Sequence, residues 1–387
     1  MRQSLPAAFL VLVFLSVSCG PTKEGVEESA AYPAVIENVE GVRTVTNPDF
    51  PKEGKIHFTL TEELTIGEED ALEGGVLNRP QFLDVDSDGN IYVMDWGDTD
   101  IKIFSPDGTL IRTVGGKGQG PGEFDIPASF KLSKDNKIFL LSGSQHRFSV
   151  IETTGEYITG FQVEAYPPAM DIDSLNRVFY SETLPPDYTL TEDYQKVESS
   201  FALFRRDADG QNKIKLGEFR DRVSMKRAVK SASGTGIMGG MSREAYTTCW
   251  LVGPRDRIYI GYNKDYKIDV YDPDWNLLFR FGRTFTPIKH PLYKPELGHP
   301  EYYPAFSDWR KFFDDEGNLW LELYLPEGVE EHAYDVFSPE GIYLKQVWVP
   351  TTLNLVRGGK AYSIFRTEEE YLVVKRFFMT EADNQIT

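Results

Sequence analysis

Three aspartates at alternate positions, Asp84, Asp86 and Asp88, are followed by Gly89, Ile91 and Asp95. That is the spacing of a calcium-binding EF-hand loop, with Asp in place of the usual final Glu. Calcium chemistry of that kind needs a helix on each flank. Residues 82–83 and 101–104 are instead apolar and β-forming, so the aspartates are expected in a hairpin turn, with calcium as the competing reading. Gly116-Lys117-Gly118-Gln119-Gly120-Pro121-Gly122 has the look of a phosphate cradle. It lacks the spacing of a dinucleotide loop and runs into a β-type stretch at 128–132, so no helix N-terminus would meet an anion and a connector is expected. His57, His146, His290, His299 and His332 show no zinc spacing, and no Gly-x-Ser-x-Gly nucleophile motif is present. No catalytic residue, metal or cofactor is assigned on this basis.

Binding chemistry has more to work with. Residues 220–243 carry Arg220, Arg222, Lys226, Arg227, Lys230 and Arg243, interleaved with Met225, Met238 and Met241, in a chain whose formal charge is −19. Residues 287–309 supply His290, Tyr293, Lys294, His299, Tyr302, Tyr303 and Trp309. A mobile basic loop beside a proline and aromatic rim suits an anionic or carbohydrate-like ligand, or a partner protein. The same cations also fit a solvated loop paired with acidic edges. The overall acidity argues against nucleic acid, which needs a basic surface.

The elements that must position these residues are short strands. Residues 78–127 contain four apolar runs separated by Ser87-Asp88-Gly89-Asn90 and Ser105-Pro106-Asp107-Gly108, which reads as a four-stranded antiparallel sheet with strands a to d. The residue seven before the first apolar residue of strand b recurs as Asp84, Lys131, Asp171, Leu251, Phe312 and Asn354, which gives six copies of the a–b hairpin. The c–d turn returns in five of them. The sixth copy lacks a d strand, and residues 56–66, which precede the first copy, can supply it. The expectation is an all-β chain, a six-bladed β-propeller of four-stranded antiparallel blades whose last blade is closed by an N-terminal strand.

In such a ring the a–b and c–d turns share one face and the b–c and d–a loops share the other. The long connections, 183–199, 219–245, 284–306 and 324–331, all fall on the b–c/d–a face around blades three to five. Extra chain costs ordering entropy and tends to lie where function is, although propellers also accept neutral insertions.

Pro80, the run from Asp84 to Val93, Asp95, Ile101, Phe104, Asp107-Gly108 and a trailing loop with Pro121-Gly122-Glu123-Phe124 resemble an NHL-type repeat, with Asp100 where many such repeats carry Arg. Residues 56–380 as a whole are similar to bacterial six-bladed propeller lipoproteins. That resemblance implies a propeller fold on the cell envelope. It also keeps metal-dependent enzymes of this fold in view, among them gluconolactonase-like hydrolases and peptidyl-amidoglycolate lyases.

Arg2, the apolar stretch 7–17 and Ser16-Val17-Ser18 before Cys19 resemble a bacterial lipoprotein signal, with Leu15 one position early. The expected organisation is a signal peptide over 1–19 with lipid on Cys19, a flexible tether over 20–55, the propeller over 56–380 and a tail over 381–387. Membrane contact would be through the lipid alone. Cys249, the other cysteine, is expected to be a buried strand thiol. The functional expectation is an envelope binding or scaffold module using the b–c/d–a face over blades three to five, the alternative being a metal-dependent hydrolase or lyase at the channel mouth.

Overall fold

The computed structural model describes residues 32–68, 75–165, 167–185, 191–193, 195–231, 234–241, 246–291, 293 and 300–382. The chain begins with a hairpin, β1 (Val35–Val39) and β2 (Val42–Asn47), and continues into a long strand, β3 (Lys55–Ile66). Blade one follows as β4 (Pro80–Val85), β5 (Ile91–Asp95), β6 (Asp100–Phe104) and β7 (Leu110–Gly115). Blade two is β8 (Pro127–Leu132), β9 (Ile138–Ser142), β10 (Arg147–Ile151) and β11 (Tyr157–Gln162). Blade three is β12 (Met170–Ile172), β13 (Val178–Thr183), β14 (Gln195–Arg206) and β15 (Ile214–Ser231), with an additional β16 (Gly234–Met241). Blade four is β17 (Thr248–Val252), β18 (Ile258–Tyr262), β19 (Lys267–Tyr271) and β20 (Leu277–Arg283). Blade five is β21 (Lys311–Phe313), β22 (Leu319–Glu322), β23 (His332–Phe337) and β24 (Tyr343–Val349). Blade six is β25 (Leu355–Arg357), β26 (Lys360–Arg366) and β27 (Leu372–Glu381), completed by β3.

In blades one and two the second strand is the most apolar because neighbouring blades cover both of its faces. Every residue of β5 and β9 is buried. Six apolar clusters join consecutive blades around the ring. In the last of them Ile66, Tyr362 and Val374 of blade six meet Val85, Ile91 and Phe104 of blade one, and the ring closes there. This is a six-bladed β-propeller.

The tight turns are made by a repeated side-chain device. Asp86 Oδ1 accepts the backbone N–H groups of Asp88 and Asn90, both at 2.9 Å. Asp173, Asp272 and Asp314 do the same two and four residues on. An aspartate that starts such a turn replaces backbone partners that the turn would leave unmade. Asp95, fully buried, accepts from the N–H groups of Asn78, Arg79 and Gly97. Of the calcium-like aspartates of blade one, Asp86 and Asp88 therefore belong to the hairpin turn, while Asp84 and Asp95 lie in its two strands.

β3 closes blade six as expected, pairing antiparallel with β27 from Val374↔Ile66 to Glu381↔Phe58. It also does more. Lys55–His57 pairs parallel with Gln346–Trp348 of β24, so one strand edges blade five and then completes blade six.

The expected flexible tether over 20–55 is corrected over its second half. β2 lies parallel to β20, extending blade four outward, and β1 folds back on β2. Asn47 is buried between blades four and five, where its Nδ2 donates to the carbonyls of Gly282 and Gly341 and its Oδ1 accepts from Tyr343 N–H, all at 2.9 Å. Beside it Asp335, buried completely, accepts from Tyr343 Oη at 2.6 Å, Gln346 Nε2 at 3.1 Å, Arg283 Nε at 2.6 Å and Tyr266 Oη at 2.5 Å. Burial, together with the Asp335 charge, pushes the Tyr266 hydroxyl well above an ordinary tyrosine.

Candidate functional site

The first strands of all six blades line a central channel of about 1380 Å³. Its two ends differ. One, the turn mouth, is framed by the short a–b turns. The other, the ribbon mouth, is framed by the b–c and d–a connections.

The position that recurs in the sequence repeat faces the channel near the turn mouth, as Asp84, Lys131, Asp171, Leu251, Phe312 and Asn354. Asp84 accepts from the N–H of Leu132 in the next blade at 3.3 Å, and Asp171 from the N–H of Val252, likewise in the first strand of the next blade, at 2.9 Å. Lys131 Nζ lies 3.3 Å from Asp171. Burial works against the Lys131 ammonium, yet Asp171 and Asp84 outweigh it and hold its pKa above that of an ordinary lysine. These charges are engaged with each other and with the backbone.

The ribbon mouth is built over blades three to five. Residues 219–245, expected as a mobile loop, form a β-ribbon over their described part. β14 and β15 continue beyond the blade, Gln195 reaching register with Lys226, and β16 turns back along β15. The ladder continues because each added residue finds backbone partners on both sides. At the ribbon's base Thr247 Oγ1 donates to Asp221 at 2.8 Å, and Arg222 forms an ion pair with Asp308 across to the connection before blade five. The Arg222 guanidinium lies 5.1 Å from the ring centre of Trp309. Trp309 itself is 67% exposed and lines the channel.

Next to Trp309, Arg310 Nη1 lies 3.2 Å from Glu322 Oε2, and His332 Nδ1 lies 3.3 Å from Glu322 Oε1. Lys311 Nζ donates to the Asp308 carbonyl at 2.5 Å. Tyr324 stacks on Tyr303 at 5.1 Å, and Tyr303 packs on His290 at 4.5 Å. The carboxylates lie deepest: the Glu322 and Asp308 side chains are 8% and 9% exposed, against 41% for Arg310. Outermost are the Trp309 indole and the Arg310 guanidinium.

Of the residues singled out in the sequence, the structure gathers Arg222, Trp309, Tyr303 and His290 at this end. Tyr302 and Tyr293 are exposed on the same connection, the Tyr302 carbonyl accepting from Tyr246 Oη at 2.9 Å. Arg220 sits beside Tyr262, whose hydroxyl is pushed upward chiefly by burial. Lys226 and Arg227 lie further out on the ribbon, with Arg227 Nη2 3.5 Å from Met238 Sδ, and Lys230 is in register with Thr235. Cys19, Arg243 and His299 lie outside the described residues. Asp308, Arg310, Lys311, Glu322 and Tyr324 were missed in sequence. The available signal was position: they lie at or just before the start of strand a, or at or just after the end of strand b, of blade five. Cys249 is buried, and burial raises its thiol to about 12, which makes it a poor nucleophile. Among the described residues, no group of three or more His, Cys, Asp or Glu is arranged to hold a metal ion.

Comparison with known proteins agrees on the fold. Residues 83–219 match the model of the DUF5128 family, described as a 6-bladed beta-propeller. A DUF4221-family protein from Bacteroides vulgatus is similar in structure with a TM-score of 0.51 at 12% identity, over 84% of this chain and 99% of that one. A Bacteroides fragilis protein named for its expected export gives 0.51 at 10% identity, over 87% and 99%. A gluconolactonase from Xanthomonas campestris gives 0.44 at 9% identity, over 87% and 98%, a likeness too slight to bring that activity here. No curated protein matches the sequence. At these identities the structures share a fold and nothing finer.

Proposed function

We propose that this propeller is a binding module of the bacterial envelope, held to a membrane by lipid on Cys19, that takes its ligand at the ribbon mouth. The observation that carries the reading is the Arg222–Asp308–Trp309 contact. It braces blade three's ribbon against the blade-five connection and leaves a large aromatic ring open to solvent at the end of a channel. Exposed aromatic rings backed by fixed guanidinium groups are common anchors of recognition, because they offer contact area at small entropic cost. The turn mouth offers no comparable anchor, since Asp84 and Asp171 are engaged with backbone N–H groups.

Photo-crosslinking from each end of the channel in the lipidated protein tests this. A photoreactive phenylalanine analogue at Tyr302 should give adducts in intact membranes. The same analogue at the exposed Leu175, on an a–b turn, should give none. Adducts from Leu175 alone, or from neither position, would overturn the assignment. The anchor is tested separately by Cys19→Ser, which should shift the protein to the soluble fraction; continued membrane retention would count against lipidation.

A further inference from the structure

From the layering of charge at the ribbon mouth, and resting on the reading of that mouth as the binding site, we infer that the ligand is an acidic oligosaccharide built of hexuronic acid units. Two independent features lead there. The first is Trp309. With Arg222 held on it at 5.1 Å and pinned by Asp308, the indole is a fixed plate with most of its surface open. The C–H face of a pyranose ring carries slightly positive hydrogens and matches the negative face of such a π system. A flat plate of this kind suits a ring better than it suits an extended peptide.

The second is the inversion of charge with depth. In a chain of formal charge −19, the charged groups lining the channel beside Trp309 are Arg310 and Lys311, with Glu322 and Asp308 more deeply buried, while Glu327, Glu330 and Glu331 are exposed farther along the connection that follows strand b of blade five. Glu322 is shared between Arg310 and His332, and the described side-chain contact of Arg310 runs through Nη1. A guanidinium has five N–H donors in a planar fork, so Arg310 keeps donors for a carboxylate beyond the one spent on Glu322. A cationic patch at a concave mouth in an acidic protein also focuses field lines on an approaching anion. Tyr324, stacked on Tyr303 and also lining the channel, adds a second aromatic surface at the same end. A hexuronic unit presents both what the plate takes, a ring with an apolar face, and what the fork takes, a carboxylate on that ring.

The test uses the full chain and two probes, tetragalacturonic acid and tetramannuronic acid, each compared with its fully methyl-esterified form by titration calorimetry. At least one acid should bind, with its ester at least tenfold weaker and with affinity falling as salt rises. Trp309→Ala and Arg310→Gln should each weaken that acid at least tenfold while the chain still melts in one cooperative transition, and Trp309→Phe should retain part of the binding. Equal binding of acid and ester, with loss in Trp309→Ala, would overturn the acidic class while leaving the mouth as the site. Binding by neither acid would overturn the saccharide inference, and the crosslinking from Tyr302 would then decide the mouth by itself. Binding unaffected by either substitution would overturn both.

Discussion

At the turn mouth Asp84 and Asp171 spend their oxygens on backbone N–H groups of Leu132 and Val252, so the charges there sew strand to strand. At the ribbon mouth Glu322 and Asp308 are paired with Arg310, His332 and Arg222 and leave the outer layer to the Arg310 guanidinium and an open indole. Both ends belong to one channel and both are rich in charge. The difference is whether a polar group's partner is the fold itself or the side chain next to it. A carboxylate bound to backbone cannot be given to a ligand without cost to the ring. A guanidinium held on one edge still has donors to offer. Presence of charge therefore locates nothing by itself, whereas its partners do.

The broadest way to break this comparison is to remove the strand on which both mouths depend. A chain that begins at residue 75 lacks β1, β2 and β3, leaving blade six without its outer strand and blades four and five without their rim partners. The expected outcome is loss of the cooperative melting transition; a truncated chain that melts as the full chain does would show that β3 does not close the ring. Next in size is Asp171→Ala at the turn mouth. It strands the buried N–H of Val252 and takes the closest counter-charge from Lys131, so a loss of about 1–3 kcal/mol in chemical denaturation is expected. Oligosaccharide affinity should not change with it. A loss of binding in Asp171→Ala with intact stability would reverse the roles given to the two mouths.

How far these roles could be read in the sequence depended on whether the residue's partner was near in the chain. Blade one was legible throughout, because Asp86 with Asn90 and Asp95 with Gly97 act over two to four residues. The ring's closure by β3 was legible as arithmetic, a blade lacking a strand and a strand lacking a blade. That β3 also edges blade five was not, since nothing in Lys55-Ile56-His57 distinguishes one parallel partner from another. The hairpin of β1 and β2 read as tether because the five exposed residues of β1 and the three half-buried, two buried and one exposed residues of β2 show no sustained period. Its decisive residue, Asn47, has partners more than 230 positions away. The recurring position at Asp84, Lys131 and Asp171 served to align the repeat, but its place on the channel wall appears only in three dimensions. At the ribbon mouth composition pointed to Arg222 and Trp309 correctly as neighbours, while Glu322 and Arg310 were hidden within an ordinary blade.

Smaller effects sharpen the contrast. Glu370, on the b–c turn of blade six at the ribbon end, has φ 73°, in the left-handed region that costs a side-chain-bearing residue. Glu370→Gly should raise stability by about 0.5–1 kcal/mol, the relief of the φ penalty less the entropy of glycine, at the expense of only an exposed ion pair with Arg366. An unchanged or lowered melting midpoint would show that the turn is held by more than its backbone.

Trp309→Ala should move stability least among the losses. The exposed ring contributes little burial, and its contact with Arg222 is worth about 0.5–1 kcal/mol. Arg222 keeps its ion pair with Asp308 after the substitution, so the ribbon stays braced against blade five. A side chain whose removal barely touches the fold but abolishes binding is what the ribbon mouth requires of its anchor, and Asp171 is predicted to show the reverse at the other end. Should Trp309→Ala instead cost as much as Asp171→Ala in the same denaturation experiment, the indole would be part of the scaffold, and the division between a structural mouth and a binding mouth would fail at its most exposed residue.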